Sequence, residues 1–449
     1  MFWSPMKPAT ARESALRVLV SIRNASAWYD AALKAQLDKD GLSGPEASLA
    51  TRLVYGVMQN RLLLDFWIAA YCTQKPDHLQ VPLLDILRMG VYQIVFLDRI
   101  PDSAAVNESV NLTRTFGRAQ AAGLVNAVLR KVVKNKESLP KPSDADPVQY
   151  LSITYSHPKW LVKRLLTILS REETEAFLQA NNGAVPTTVQ YNPLKTSPDA
   201  LTAALAEEGV RAIPHAWVPG CLELSDTGNL ALLKTFRSGE FLVQDAAAHL
   251  VTAAAMPAPG MRVIDVCAAP GGKSFAAAFA MENRGEILSC DLHENKLKRI
   301  REGADRLGLT CIQTTAADGR VFNPRLAEKA DLVIVDVPCS GLGIIRKKPD
   351  IRYKRGDDLF SLPVVQTAIL ENSARYVKPG GTLVYSTCTI LPEENQHVTD
   401  EFLSGHPEFS RESFLLPDGR EVSEGQITFW PQRDGVDGFY ICRMKRRQA

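Results

Sequence analysis

What this chain lacks narrows its chemistry first. Eight cysteines occur in 449 residues, yet none forms a CxxC pair or joins a cysteine–histidine cluster. Structural zinc sites and disulfide frameworks need such spacing, so neither is expected, and no metal is assigned. No apolar run approaches membrane-spanning length, and the N-terminus lacks the uninterrupted apolar stretch of a secretion signal. A cytoplasmic protein without a membrane partner is the expectation, in a compartment that leaves thiols reduced. The net charge is only +2, so no global basic field announces a polyanion. Repeats and low-complexity blocks are missing, and so is the GxGxxG fingerprint of dinucleotide sites.

What is present describes a multidomain globular chain. Apolar residues make up 45% and charged residues 23%, and the length exceeds one ordinary core, so two or three domains are expected. Residues 1–140 carry five more basic than acidic residues; a solvated helical surface and an RNA-facing one both fit. Thr10-Ala-Arg-Glu13 is a capping-box pattern that opens a helix with Ala15, Leu16, Leu19 and Ile22 on one face. Helical periodicity returns over Leu49–Tyr71, Leu83–Leu97, Ala104–Phe116 and Leu124–Lys134. Strand patterns are scarce there, so residues 1–140 are expected to form an all-α bundle. Tyr55, Trp67 and Tyr92 read as core, and Asn107 and Asn126 as interhelical hydrogen-bond formers. Ser138–Pro147 is Pro-rich, charged and aperiodic, a linker by composition. Residues 148–235 read as a small α/β subdomain, with helices near Lys159–Leu169, Glu172–Asn181 and Pro198–Gly209 and a strand at Thr187–Tyr191.

The last domain, residues 236–449, is organised around Val263–Ser274, where an apolar strand ending at Asp265 runs through small residues, Pro270 and a glycine pair into an Ala-rich helix. Glycine admits close backbone approach, and the helix start offers unpaired N–H groups to a ligand. Glu286–Asp291, Thr310–Ala317 before Asp318, Asp331–Asp336 and Gly381–Ser386 follow as strands, with helices such as Glu294–Leu307 and Val364–Val377 between them. Alternating strands and helices give a parallel sheet with right-handed crossovers. Its strand ends share one edge, where open α/β sheets bind ligands. Asp291, Asp318, Asp336, Cys339 and Cys388 should therefore converge.

Three strings carry a resemblance. Cys267–Lys273 (CAAPGGK), Asp336–Gly341 (DVPCSG) and Tyr385–Asn395 (YSTCTILPEEN) resemble motifs I, IV and VI of the RNA cytosine-5 methyltransferases. From about Ala11 to Arg443 the chain is similar to the Sun/Fmu/RsmB family, and phrases such as RLVYGVMQNRLLLDFWI resemble its NusB-like front domain. The resemblance implies a NusB-like all-α bundle, a small α/β subdomain that positions RNA, and a Rossmann-like class I methyltransferase domain. It implies S-adenosylmethionine as cofactor and small-subunit (16S) ribosomal RNA as partner, in a monomer. A tRNA cytosine-5 methyltransferase is one alternative, and a non-catalytic, antitermination-like RNA-binding factor another.

The chemistry needs particular residues. Carbon 5 of a pyrimidine is a poor nucleophile until a thiolate adds at carbon 6. Cys339 and Cys388 are the two candidate thiols. DNA enzymes of this chemistry use the motif IV cysteine, whereas Ser386-Thr-Cys388 matches the RNA branch; the resemblance therefore assigns Cys388 as nucleophile and Cys339 to product release. Asp336 would contact the ring nitrogen and amine of cytosine. The cofactor would be held by Cys267, Ala268, Ala269, Pro270, Gly271, Gly272 and Lys273, with Asp291 at the ribose, Asp318 near the adenine amine and Asp336 beside it. Asp265 would fix the loop. The run Ile344–Arg355 has six basic residues to one acidic, so Arg346, Lys347, Lys348, Arg352, Tyr353 and Lys354 are the candidate RNA contacts. Two departures stand out: Gln190-Tyr-Asn192 replaces the family's Arg-Val-Asn, and Lys347-Lys348 its Arg-His.

Overall fold

The computed structural model describes residues 9–24, 29–354 and 361–448. Two compact units emerge, one from residues 1–182 with 348–354, the other from 183–347 with 355–449.

In the first unit, α1 (Ala11–Asn24), α2 (Tyr29–Asp40), α3 (Gly44–Tyr71), α4 (Leu83–Phe96), α5 (Asp102–Thr115) and α6 (Ala122–Lys134) form a helical bundle. The capping box at α1 is reciprocal: the Glu13 amide donates to Thr10 Oγ1 at 3.2 Å and the Thr10 amide to Glu13 Oε2 at 3.2 Å. Helix α4 is buried almost throughout, so the other helices wrap it. Gly56 permits the close approach of α3 to α4, because a Cβ there would lie 1.9 Å from the Tyr92 ring. Trp67 and Tyr92 are core, and the Trp67 indole N–H donates to the Pro140 carbonyl at 3.0 Å. Asn126 does not bridge helices; it accepts from Arg130, one turn along α6. Helix α2 escaped the sequence reading because its charges leave it with little amphipathic contrast, only Tyr29 and Leu33 standing out as buried anchors. The expected linker contains no regular element from Leu139 to Asp146, where Asp146 caps α7 (Pro147–Thr154). Contacts group α7, α8 (Lys159–Leu165) and α9 (Arg171–Ala180) with the bundle, so the compact unit ends well beyond that linker.

The second unit begins with an antiparallel sheet in the order β2-β3-β1-β4, built from β1 (Thr187–Tyr191), β2 (Arg211–Pro214), β3 (Cys221–Ser225) and β4 (Phe241–Val243). Helix α10 (Pro198–Glu207) lies between β1 and β2 in the chain, and the short α11 (Lys234–Arg237) before β4. Asn192, fully buried after β1, donates to the carbonyls of Gly239 (2.9 Å) and Leu307 (3.0 Å), pinning this sheet to the next layer.

The larger sheet contains β5 (Arg262–Asp265), β6 (Glu286–Asp291), β7 (Ile312–Ala316), β8 (Ala330–Asp336) and β9 (Val377–Thr387), all paired in parallel, in the spatial order β9-β8-β5-β6-β7. Beyond β9 the sheet turns antiparallel, as β14 (Phe439–Arg446) pairs with β9 and itself carries β10 (Phe409–Arg411) and β13 (Gln426–Phe429). A small hairpin joins β11 (Phe414–Leu415) to β12 (Glu421–Val422). Helices α12 (Ala246–Ala255), α13 (Gly272–Ala280) and α14 (Glu294–Leu307) precede β8, while α15 (Leu362–Ala374), α16 (Gln396–Gly405) and the short α17 (Pro431–Asp434) follow it. Two apolar clusters flank the sheet, one including Leu250, Val263, Phe275 and Ile334, the other Ile264, Val333, Leu383 and Tyr440. Strand order reverses between β5 and β8, which opens a crevice at their C-terminal ends.

Candidate active site

At that crevice the parallel register sets Asp336 beside Ser386, two residues before Cys388. The two turns that follow β8 and β9 are knitted together. The Gly343 amide donates to the Cys388 carbonyl at 3.0 Å, and the Gly438 amide to the Gly343 carbonyl at 2.8 Å. A Cβ on Gly343 would lie 1.9 Å from the Gly438 carbonyl oxygen, so only glycine lets these chains cross. The result brings Cys339 Sγ to 3.2 Å from Cys388 Sγ, two free, half-buried thiols in contact.

Glu394 holds this arrangement from beneath, a part the sequence reading did not assign. It is 1% exposed and accepts from the Ser340 amide (2.8 Å), from Gln366 Nε2 (2.8 Å) and from Thr389 Oγ1 (3.3 Å). Asn395 accepts from Thr387 Oγ1 at 2.6 Å and donates to the Thr389 carbonyl at 3.1 Å. Thus the PEEN string locks the Cys339 turn to the Cys388 turn. A Glu–Asn pair at a helix start ordinarily faces water, and its only sequence signal is its place after Thr387-Cys388.

The hydrogen bond with Cys388 and burial push the Cys339 thiol well up, with Glu394 and Asp336 adding to the effect. Cys339 therefore favours its protonated form, in contact with Cys388. Lys273 Nζ donates to Asp336 Oδ2 at 2.5 Å, and Ser386 Oγ to Asp336 Oδ1 at 2.9 Å, so both carboxylate oxygens are oriented. Burial alone would lower the Lys273 pKa; Asp336, Asp265 and Cys388 outweigh it and leave the ammonium charged.

The glycine-rich turn is a cradle. Gly271 caps α13 at φ +108°, and a Cβ there would strike the Phe275 ring at 2.5 Å. Gly272 lies against Gln244, whose two amide atoms are buried without a protein partner. Among the described residues that orphaned amide, the free first-turn N–H groups and the nearby carboxylates fit a zwitterionic amino-acid group with a nucleoside attached. Asp291, 8% exposed at the end of β6, accepts from the His293 amide at 3.0 Å. Asp318 sits two residues past β7, where hydrogen bonds from Arg320 hold its carboxyl down at about 2, an ionised acceptor.

Asp265 is wholly buried; one oxygen accepts from Ser274 at 2.7 Å while the other has no partner. Burial raises its pKa to about 6. A carboxyl raised from 3.8 contributes stability that is present below the unfolded value and lost as pH climbs through the folded one. Replacing Asp265 by Asn removes this titration. Chemical denaturation from pH 4 to 7 should therefore show wild type losing about 2 kcal/mol relative to Asp265→Asn. A flat difference would mean that the carboxyl is not buried.

The basic run after Cys339 behaves otherwise than its composition suggests. Arg346 pairs with the buried Asp437, and Lys347 with Asp245 and Asp437, a compensated cluster inside the second unit. Arg352 belongs to the first unit, is 0% exposed, and donates to the carbonyls of Gln59 (3.0 Å) and Ser156 (3.2 Å) and to Asn182 Oδ1 (2.9 Å). Tyr353 donates to the Met58 carbonyl at 3.0 Å and lies under Arg61. Buried groups that are already bonded cannot meet a phosphate, so Arg352 is corrected from RNA contact to structural anchor, and Arg346, Lys347 and Tyr353 are occupied internally. Lys348 and Lys354 flank that anchor, and Arg355 lies outside the described residues.

Residues 253–445 match the family described as 16S rRNA methyltransferase RsmB/F, residues 9–134 the NusB family, and residues 157–231 the ferredoxin-like domain of RsmF/B-like methyltransferases. The chain is 36% identical to the probable ribosomal RNA small subunit methyltransferase B of Bacillus subtilis, over 98% of this chain and 100% of that one. Against the ribosomal RNA small subunit methyltransferase B of Klebsiella pneumoniae it is 32% identical over 91% and 92%. Among solved structures, that of PH0851 aligns over 99% of this chain and 100% of its own, at 27% identity and a TM-score of 0.81. A methyltransferase homologue from Pyrococcus horikoshii covers 67% of this chain and is itself covered to 99%, at 26% identity and a TM-score of 0.58.

Proposed function

Because the chain belongs to the RsmB/F family of 16S rRNA methyltransferases, we propose that it methylates carbon 5 of a cytosine in small-subunit ribosomal RNA through a covalent adduct on Cys388. The observation that carries this reading is the contact of two thiols, 3.2 Å apart, beside a carboxylate gripped by Lys273 and Ser386. Backbone amides of Gly271–Lys273, the Gln244 amide and Asp291 and Asp318 would hold S-adenosylmethionine, which supplies an electrophilic methyl group when bound.

The Cys388 sulfur, its proton passed to water, adds to carbon 6 of the flipped-out base, and the displaced π electrons shift through carbon 4 onto the ring nitrogen, which takes up a proton from water. Asp336, fixed on both oxygens, accepts from the exocyclic amine and from the ring N–H that forms there, whereas uracil presents a carbonyl in place of the amine. Lys273 keeps positive charge beside the carboxyl as electron density shifts. Once the Cys388 sulfur is bonded to carbon, the leading cause of the raised Cys339 pKa is gone. Cys339, its own proton given up to water, takes the carbon-5 proton; the C5–H electrons restore the C5–C6 double bond and the C6–S electrons leave with Cys388 as thiolate.

Ring-methylated cytosine should appear when the purified protein and S-adenosylmethionine meet unmodified small-subunit rRNA, read by bisulfite sequencing. Methylation of transfer RNA instead, with ribosomal RNA untouched, would shift the reading to the tRNA enzymes. No methylation of either, without cofactor binding by calorimetry, would favour a non-catalytic RNA-binding factor.

A further inference from the structure

Outside the catalytic crevice, the second unit contains a cavity of about 290 Å³ between β1, α12 and the C-terminal half of α13. Its rim includes the exposed Pro193, Pro219 and Ala280, so it opens to solvent, while Gln190, Thr252 and Phe279 are less than a tenth exposed at its floor. Three polar side chains in this lining carry buried atoms with no protein partner: Gln190 Oε1, His249 Nδ1 and Thr252 Oγ1. Burying a polar atom unpaired costs about 1–3 kcal/mol, so three around one cavity point to a bound group that the fold leaves room for.

The lining also specifies what that group is. It contains no lysine, arginine, aspartate or glutamate, and burial pushes the His249 imidazole down to about 4, so it is neutral near pH 7. A phosphate or a metal ion would therefore find no counter-charge. Tyr191 and Phe279 offer aromatic surface, and Ala276, Ala253 and the prolines offer flat apolar walls. An uncharged, planar ring with hydrogen-bonding edges matches this set, since a glutamine amide pairs with donor and acceptor edges of a base and aromatic side chains stack on its faces. The volume lies at the small end of ligand pockets, suited to one ring system rather than a whole cofactor. Along α13, Phe279 stands about 9 Å from Lys273 by helical rise, and the lining contains neither cysteine of the pair, nor Lys273, nor Asp336.

We propose that this cavity receives an unpaired nucleobase of the substrate RNA, a second base held apart from the cytosine that is methylated. The inference rests on the rRNA methyltransferase reading for the identity of that RNA. Gln190, to which no role attached in the sequence, becomes a specificity-determining residue, and Tyr191 its stacking partner.

The test uses the full-length protein with S-adenosylmethionine and small-subunit rRNA. Gln190→Leu and Thr252→Val are close in size to the native residues and remove the unpartnered Gln190 Oε1 and Thr252 Oγ1, so folding stability should hold. For Gln190→Leu we expect the RNA KM to increase about 10-fold, the scale of one lost base contact, with turnover at saturating RNA and cofactor affinity near wild type. Ultraviolet irradiation of the wild-type protein–RNA complex should attach a nucleotide to the peptide containing Tyr191. Unchanged KM in both variants, together with cross-links only elsewhere, would overturn the proposal and leave the cavity to water. Protection of Tyr191 by free adenosine, cytidine, guanosine or uridine but not by RNA would also overturn it, in favour of a free-nucleoside site. Should wild type cross-link at Tyr191 yet methylate no RNA, the enzymatic reading fails while this one stands.

Discussion

Cys339→Ala protein incubated with S-adenosylmethionine and small-subunit rRNA should accumulate a protein–RNA adduct that survives denaturing electrophoresis, while turnover falls at least about 10²-fold, the range for loss of a general base. Cys339 touches Cys388 at 3.2 Å and is held protonated chiefly by that hydrogen bond. Addition of Cys388 to the base does not consume Cys339, so the adduct still forms. Elimination then lacks its proton acceptor, and the sulfur–carbon bond persists. Wild type, which completes the cycle, should show little or no such band.

Cys388→Ala should abolish turnover, by roughly 10³-fold or more, because the chemical step loses its nucleophile. Cofactor affinity should stay near wild type, since the Gly271–Lys273 turn and Asp291 are built on other strands. No adduct should appear in this variant, with Cys339 intact or replaced. Calorimetry with S-adenosylmethionine separates the effect from misfolding. A protein that binds cofactor normally and still turns over would remove Cys388 from the chemistry.

Much of this site was legible before any coordinates, for one physical reason. Parallel strands bring their C-terminal ends to a common edge, so Asp291, Asp318, Asp336, Cys339 and Cys388 were expected to converge once five strands were recognised, and the structure sets Asp336 beside Ser386 and Cys339 against Cys388. Strand β1 and helix α14 have the bounds that their patterning predicts. The parts that were not legible depend on long-range side-chain pairing. Asp437 is distant in sequence from Arg346 and Lys347, and composition alone cannot reveal that their charges are spent on it. Arg352 reads as a phosphate contact because basic runs usually face water; its burial comes from the segment joining the first unit, which no local pattern encodes. Glu394 likewise looks like a surface carboxylate, yet it anchors Ser340, Gln366 and Thr389. Charge clusters were thus the weakest guide, and strand ends the strongest.

The assignment of the nucleophile is tested most directly by trapping it. RNA carrying 5-fluorocytidine at the target position cannot lose its carbon-5 substituent as a proton, so the adduct on the wild-type protein should stall after methyl transfer. Digestion and mass spectrometry should place the methylated nucleotide on the sulfur of Cys388; its recovery on Cys339 would contradict the account.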